Sequence, residues 1–427
     1  MQPRSRAECI ERDRVDSLAA HREQFRLPED VIYLDGNSLG ALTRSAERQV
    51  AAVMQEQWGV DLIRSWSENG WLDYPSRLGD RIAPLIGASP GEVLVCDSTS
   101  IDLFKIVSAV ALQRGKRRKL VTELGNFPTD LYVLRGLARL VPELDVVAVP
   151  REELSAAIDH ETLLVVLTHV HYRTAEMYDL AAMTAHVHSV GARIVWDLSH
   201  SIGALPIDLG LSEGDFAVGC TYKYLNGGPG APGFLYVRRD LQAALQPVLS
   251  GWLGDARPFD FLDDYLPAPG IDRHRCGTPP VLAYAALEGA LNVFDGVDVE
   301  SIRRKSIELS DLFIALVEDL PQAESLHLVS PRDPARRGSH LSFAHADAGA
   351  VMQRLIKRGV IGDFRAPDLL RFGLTPLYLR FVDVWDAVQI LGEEIGRTFI
   401  DKNKLGARHE EGTHRQTGFH VGLVRTD

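Results

Sequence analysis

Cysteine is scarce in this chain of 427 residues: Cys9, Cys96, Cys220 and Cys276 only, with no CxxC pair. Two bridges would be a poor frame for a chain of this length, so the four are read as reduced thiols and a disulfide scaffold is set aside. An excess of basic charge is also missing. Lysine and arginine number 46 against 58 acidic residues, a net charge of −12. That argues against sequence-independent nucleic-acid binding, which needs a basic footprint. No run approaches the roughly 18 apolar residues of a membrane span. The opening MQPRSRAECIERDRVDS holds no apolar signal core. A cytoplasmic protein is expected on these grounds. Internal repeats and low-complexity tracts are absent too. What remains is ordinary: 45% hydrophobic and 24% charged, as in a soluble enzyme with a core that needs no staples.

The pattern along the chain alternates. Charged, helix-prone residues fill the first thirty positions. VIYLD (31–35) reads as a short strand stopped by Gly36-Asn37, and a helix is expected over about 41–58. Between 91 and 237 the apolar runs EVLVCD (92–97), KLVTEL (119–124), DVVAVP (145–150), LLVVLTHV (163–170), RIVWD (193–197), DFAVGC (215–220) and GFLYV (233–237) are separated by helical stretches. Continuous Val/Ile/Leu runs of this kind mark buried strands of a mostly parallel sheet with helices on both faces. A Pro- and aromatic-rich stretch (252–280) leads into a long helical region (281–320). Residues 326–399 have mixed strand and helix character, and the tail after Lys402 lacks apolar periodicity. The expected fold is α/β, with a smaller α+β domain at the C-terminal side.

Three pattern matches have ordinary explanations. Gly228 to Gly233 fits GxGxxG but precedes a strand and contains two prolines, so it is a turn and not a dinucleotide site. Gly36-Asn37-Ser38-Leu39-Gly40 fits GxSxG between a strand and a helix. A serine hydrolase reading rests on Ser38 alone; the simpler reading makes Ser38 a helix N-cap. The pairs His169/His171 and His186/His188 lack the further ligands of a metal centre, so no metal is expected.

The stretch DLSHSIGALPIDLGLSEGDFAVGCTYKYLNGGPG (197–230) is different. Asp197 is the one carboxylate of RIVWD and sits at the carboxyl end of a buried strand, where α/β sheets bind ligands. Lys223 lies just past the end of the next strand, between Tyr222 and Tyr224. A desolvated lysine can be a Schiff-base nucleophile, and an aspartate can hold a pyridinium nitrogen protonated. Asp97-Ser98-Thr99-Ser100 offers hydroxyls and N–H groups at a helix start directly after a strand, a ready anion site. Phe127, opening FPTD, can cover a ring. These are the demands of pyridoxal phosphate.

Beyond this set, YLDGNSLG (33–40), GNFPTD (125–130), LTHVHYRT (167–174), WDLSHSIGALPIDL (196–209), TYKYLNGGPGAPGFLYV (221–237), SGWLG (250–254), RCGTPP (275–280) and LLRFGLTPLY (369–378) run in order over almost the whole chain. On these stretches the chain resembles the kynureninases, fold-type-I pyridoxal-phosphate enzymes of the aspartate aminotransferase superfamily. The resemblance implies a transferase-like fold: an N-terminal segment (1–60) packed with the small domain, a large cofactor-binding domain (61–290) and a small C-terminal domain (291–402); the polar tail (403–427) has no counterpart in the family and is expected to be mobile. It implies hydrolysis of L-kynurenine to anthranilate and L-alanine, in a homodimer with shared active sites.

By position, Lys223 would carry the cofactor and shuttle protons. Asp197 would pair with the pyridine nitrogen, and Tyr222 would assist as acid or base. Thr99, Ser100, Thr168 and Tyr222 would hold phosphate, with Trp252 and Thr278 from the second subunit. Phe127 would stack on the ring, with His200 and Asp130 at the cofactor's edge. Arg371 would clamp the substrate carboxylate, with Asn37 and Thr278 also meeting substrate. Threonine at 278, where animal members carry asparagine, implies a preference for kynurenine over 3-hydroxykynurenine. Ala175 departs from a glycine frequent in the family, which touches backbone freedom. Other fold-type-I chemistry stays open: an aminotransferase, or a cysteine desulfurase with Cys276 as its thiol. A non-catalytic pyridoxal-phosphate regulator would need a DNA-binding module that the first thirty residues do not supply.

Overall fold

The computed structural model describes residue 3 and residues 5–410, with side chains as far as residue 397. Thirteen strands follow one another along the chain: β1 (Ile32–Tyr33), β2 (Val93–Cys96), β3 (Lys119–Glu123), β4 (Asp145–Val149), β5 (Thr162–Thr168), β6 (Arg193–Asp197), β7 (Phe216–Cys220), β8 (Gly233–Val237), β9 (His327–Leu328), β10 (His340–Ala344), β11 (Val360–Ile361), β12 (Asp363–Arg365) and β13 (Leu369–Gly373). Seven of them form one sheet in the order β2-β8-β7-β6-β5-β3-β4. Only β8 runs against its neighbours β7 and β2, and the rest of the sheet is parallel. Each expected strand of the 91–237 region is present within a residue or two of its reading.

Both faces of this sheet are covered, which is why the middles of its central strands are apolar. Along β6, Ile194 and Trp196 enter one core cluster and Val195 the other. Along β2, Val93 and Val95 face the first cluster while Leu94 and Cys96 face the second. Successive side chains of a strand point to opposite faces, so a sheet buried twice shows no polar alternation.

The parallel arrangement brings the carboxyl ends of β2, β3, β5, β6 and β7 to one edge. Thr168 is paired with Asp197 in register, and Asp197 with Val218. The residues after those ends, 97–100, 126–130, 197–200 and 220–223, therefore converge. A second sheet, β12-β13-β10-β9, is antiparallel, with Asp363 opposite Arg371. The N-terminal part reaches this second unit. β1 pairs with β11, Arg6 is paired with Asp386 at 2.7 Å, and Asp13 accepts the backbone N–H groups of Phe381 and Val382.

Four local expectations are corrected. The helix expected over 41–58 is α-helical at Arg44–Ala52 and continues as a π-helix over Val53–Asp61. Its cap is Thr43, whose side chain accepts the Ala46 N–H; Ser38 is not the cap, because the helix starts six residues after it. The helical region 281–320 is two helices, Val281–Leu291 and Val299–Glu318. Gly296 at φ +74° breaks it, and Asp298 caps the second helix. The last helix, Phe381–Glu410, runs past Lys402, and residues 411–427 lie outside the described residues.

Ala175 occupies φ +62°, the left-handed region that a glycine enters without steric cost. The four cysteines are unpaired. Among the described residues no helix is long and apolar enough to cross a membrane.

Candidate active site

The converging strand ends enclose a cavity of about 250 Å³. Its walls include Thr99, Ser100, Phe127, Asp130, Asp197, His200, Tyr222 and Lys223. Each comes from a strand end or the segment just beyond it, so backbone pairing fixes their spacing. Thr168 lies beneath, donating to Asp130 Oδ2 at 3.3 Å and to Asn126. Lys223 Nζ stands 3.3 Å from His200 Nε2, 5.9 Å from the Phe127 ring centroid and 5.7 Å from that of Tyr222.

The Lys223 segment is held from two sides. Gly40 N–H donates to the Tyr222 carbonyl at 2.8 Å, and a Cβ at Gly40 would come within 2.2 Å of the Lys223 carbonyl oxygen. That close approach explains a glycine at the end of GNSLG. From the second sheet, the Tyr224 hydroxyl donates to the Ser339 carbonyl at 3.1 Å.

The electrostatics follow from burial. Asp197 is 4% exposed and accepts the Ser199 N–H at 2.8 Å. Burial raises its pKa. Asp130 is pushed well above the usual carboxylate range, by burial first and by the charge of Asp197 second. His200 is driven well below the usual imidazole range by burial and by Lys223. The Tyr222 hydroxyl is raised, mainly by burial. At neutral pH these directions keep His200 an uncharged imidazole and Tyr222 a protonated hydroxyl.

The residues fit pyridoxal phosphate on three observations. A buried carboxylate with no cation hydrogen-bonded to it, Asp197, matches the need of a pyridinium N–H. The helix Thr99–Leu112 opens on Ser98 with no side-chain cap, leaving its first N–H groups to meet an anion. Gly233 stands across from that helix start, where a Cβ would lie 2.8 Å from the Thr99 nitrogen. The cradle is open because this position has no side chain.

Arg371 is 1% exposed and stands beside this region. Its Nε donates to Asp363 Oδ1 at 2.8 Å and the adjacent Nη2 donates to Asp363 Oδ2, a side-on bidentate pair. It also meets Ser38 Oγ at 2.8 Å and the Tyr172 carbonyl at 2.6 Å. Asn37 is buried, and neither polar atom of its side chain has a partner. Ser38 donates to Asp363 at 2.8 Å and accepts from Arg371. Its neighbours are thus a carboxylate and a guanidinium, not the imidazole base a nucleophilic serine requires.

Trp252 and Thr278 are not at the cavity. Trp252 is 39% exposed, with ring contacts to Phe259 and Phe261. Thr278 lines a separate groove with Trp58, Trp66 and Trp71. Cys276 donates to the Leu249 carbonyl at 3.4 Å, and burial raises its pKa, the reverse of an activated thiol. Ser98, part of the expected anion site, is also in the cavity wall; sequence reasoning missed Thr129, Ser199, Cys220 and Gly233 there, and Asp363 and Arg365 beside Arg371. Thr129 and Ser199 lie inside motifs already singled out. Asp363 carries no local signal, because only the β12–β13 pairing brings it to Arg371.

The Kynureninase C-terminal domain family matches residues 302–391. A kynureninase of Pseudomonas fluorescens is 51% identical over 412 residues, 95% of this chain and 99% of its own. One from Burkholderia pseudomallei (strain 1106a) is 50% identical over 395 residues, 91% of this chain and 95% of its own. Among solved structures, the cysteine desulfurase CsdA from Escherichia coli aligns with a TM-score of 0.76 at 18% identity, covering 90% of this chain and 99% of its own. The cystine C-S lyase C-DES, with glycine linked to its pyridoxal-phosphate cofactor, aligns at 0.73 and 17% identity, covering 87% of this chain and 98% of its own. At such identities the structural likeness is one of fold alone. With half its residues shared over almost its whole length, the chain belongs to the kynureninase family.

Proposed function

We propose that this chain hydrolyses L-kynurenine to anthranilate and L-alanine, with pyridoxal phosphate held at Lys223. The observation that carries the reading is the 51% identity to a kynureninase over 95% of the chain. The placement of Lys223, Asp197 and Asp130 around one cavity supports it. When bound, pyridoxal phosphate supplies an electron sink next to the substrate's amino-acid carbons.

The chain's own groups do the rest. Thr99, Ser100 and the helix start would hold the phosphate. Asp197 would pair with the ring nitrogen, whose positive charge would keep the carboxylate ionised. Phe127 would cover the ring. Lys223 moves the proton at Cα, and neutral His200, 3.3 Å from Nζ, accepts a hydrogen bond from the lysine. Tyr222, held protonated at rest by burial, would serve as the acid at the reacting carbons. Arg371 orients the substrate carboxylate, as a planar guanidinium suits. In the net reaction water divides across the Cβ–Cγ bond: the hydroxyl joins Cγ, which leaves as a carboxylate, and Cβ gains a proton.

The reading extends to a homodimer with shared sites. Trp252 and Thr278 lie away from the chain's own cavity, and a cluster of exposed aromatics surrounds Trp252. A second copy would cover that cluster and bring these residues to the cofactor. Four unpaired cysteines support a reducing, cytoplasmic setting. Thr278 favours kynurenine over its 3-hydroxy form.

Turnover in water labelled with oxygen-18 tests the reaction. One labelled oxygen in the carboxylate of the anthranilate, with unlabelled alanine released in equal amount, is expected. Alanine released from cysteine without turnover of kynurenine would move the chain to desulfurase chemistry.

A further inference from the structure

Beside the cavity, two arginines share one carboxylate. Asp363 faces Arg371 in register across β12 and β13, and Arg365 lies two residues further along β12. Arg365 donates to Asp363 Oδ2 at 2.7 Å and reaches Ser38 Oγ at 3.3 Å. Burial pushes the Asp363 pKa up, but Arg371 and Arg365 outweigh it and hold the carboxyl ionised. Two positive charges therefore meet one firmly ionised carboxylate. Asp35 also faces this group: burial and the charge of Asp363 raise it to about 7.

A guanidinium has five N–H donors. In Arg371 four are engaged: two with Asp363, one with Ser38 and one with the Tyr172 carbonyl. One is left. A bidentate grip on an incoming carboxylate needs two. Arg371 is also 1% exposed, which leaves it little freedom to turn. Arg365 is in the opposite state. Only one of its nitrogens has partners, and its Nε is buried with none. Its side chain is 36% exposed. Its charge is felt by both His200 and Tyr222, which wall the cavity.

We infer that Arg365 is a substrate-binding residue: it supplies the second guanidinium that meets the α-carboxylate of the amino-acid substrate. Asp363 is the positioning residue that holds both arginines. This rests on the proposed function in placing an amino acid in the cavity, and on Arg371 marking the carboxylate's position. Arg371 contributes its one free N–H and its charge, while Arg365 swings its free edge inward. With Asp35 protonated, the site works as an anion receptor with one vacant charge. A substrate without the carboxylate would gain nothing from it.

The test uses holoenzyme, with calorimetric titration of L-alanine beside steady-state kinetics on L-kynurenine. Arg365→Ala is expected to weaken L-alanine binding and raise KM for L-kynurenine, each about 10-fold or more, the loss of a charge-assisted contact. Affinity for the decarboxylated analogue of kynurenine, which has no anion to hold, should stay within two-fold. Arg365→Gln, which is shorter and uncharged but keeps a polar amide and the aliphatic stem, gives a second reading if the alanine variant folds poorly, and the same loss is expected. L-alanine affinity within two-fold of wild type in either folded variant overturns the inference. Wild-type protein that binds L-alanine through Arg365 yet leaves L-kynurenine intact would keep the carboxylate site and overturn the proposed reaction instead.

Discussion

Lys223 Nζ lies 3.3 Å from His200 Nε2, inside a cavity that also holds the buried carboxylates Asp130 and Asp197. Burial keeps that imidazole neutral, so it accepts a hydrogen bond from the lysine without adding charge. Lys223 Nζ also lies within 6 Å of the ring centroids of Phe127 and Tyr222, at 5.9 and 5.7 Å. Replacing it therefore removes both the cofactor's attachment and the group that moves the Cα proton. Lys223→Ala is expected to abolish turnover while far-UV circular dichroism stays that of wild type. Substantial activity in the purified variant would remove Lys223 from the centre of the account.

Arg371 belongs to binding more than to bond breaking. Arg371→Ala leaves Asp363 with Arg365 alone and takes a charge from the carboxylate site. KM for L-kynurenine is expected to rise about 10-fold or more, as for a lost charge-assisted contact. Steady-state kinetics decide it, and unchanged KM and kcat would take Arg371 out of the site.

His169 provides a pH prediction away from the chemistry. It is 4% exposed, its Nδ1 has no partner, and burial lowers its pKa to about 4. An unfolded histidine titrates near 6.5. Below that value the unfolded chain binds the extra proton and the folded chain does not, so this residue's contribution falls as pH drops. Between pH 8 and pH 5 the difference is about 2 kcal/mol. The stability of His169→Gln relative to wild type should improve by that amount over the same range, measured by denaturant titration at each pH. A pH-independent difference would mean that His169 titrates alike in the folded and unfolded chain and that burial does not depress it.

Lys105 anchors the helix that opens on the phosphate cradle. It is fully buried, paired with Asp97, and donates to the His274 carbonyl at 2.6 Å. Burial acts to lower its pKa, yet Cys96, Asp102 and Asp97 outweigh that and raise it. Lys105→Met should cost about 3 kcal/mol or more, because it leaves the buried Asp102 and the partly exposed Asp97 without their cation. Denaturant unfolding of cofactor-free protein checks this, and a loss under about 1 kcal/mol would show that the cluster reorganises freely.

Much of the large sheet was legible because a doubly buried parallel strand is a continuous apolar run between turn residues. β6 and β8 match their sequence readings residue for residue. Asp197 and Lys223 stood out because a charge directly at the end of such a run needs a reason. The carboxylate site was less legible. Ser38 looked like a cap in a strand-to-helix turn, and only the fold shows its hydroxyl between Asp363 and Arg371. Asp363 and Arg365 sit in a strand of three residues, too short to give a periodic signal. Their partners lie more than three hundred residues away at Ser38. The break at Gly296 did carry a local signal, Asp295-Gly296 followed by the cap Asp298, which reading 281–320 as one helical region passed over. Long-range pairing, not local propensity, builds the parts that the sequence concealed.

The most direct measurement is anthranilate fluorescence after mixing the purified, pyridoxal-phosphate-loaded protein with L-kynurenine, run beside 3-hydroxykynurenine. The account predicts steady release of anthranilate, with kcat/KM for kynurenine exceeding that for the hydroxylated substrate. No release from either substrate, with the cofactor bound through Lys223, would contradict the proposed reaction while leaving the fold and the cofactor site in place.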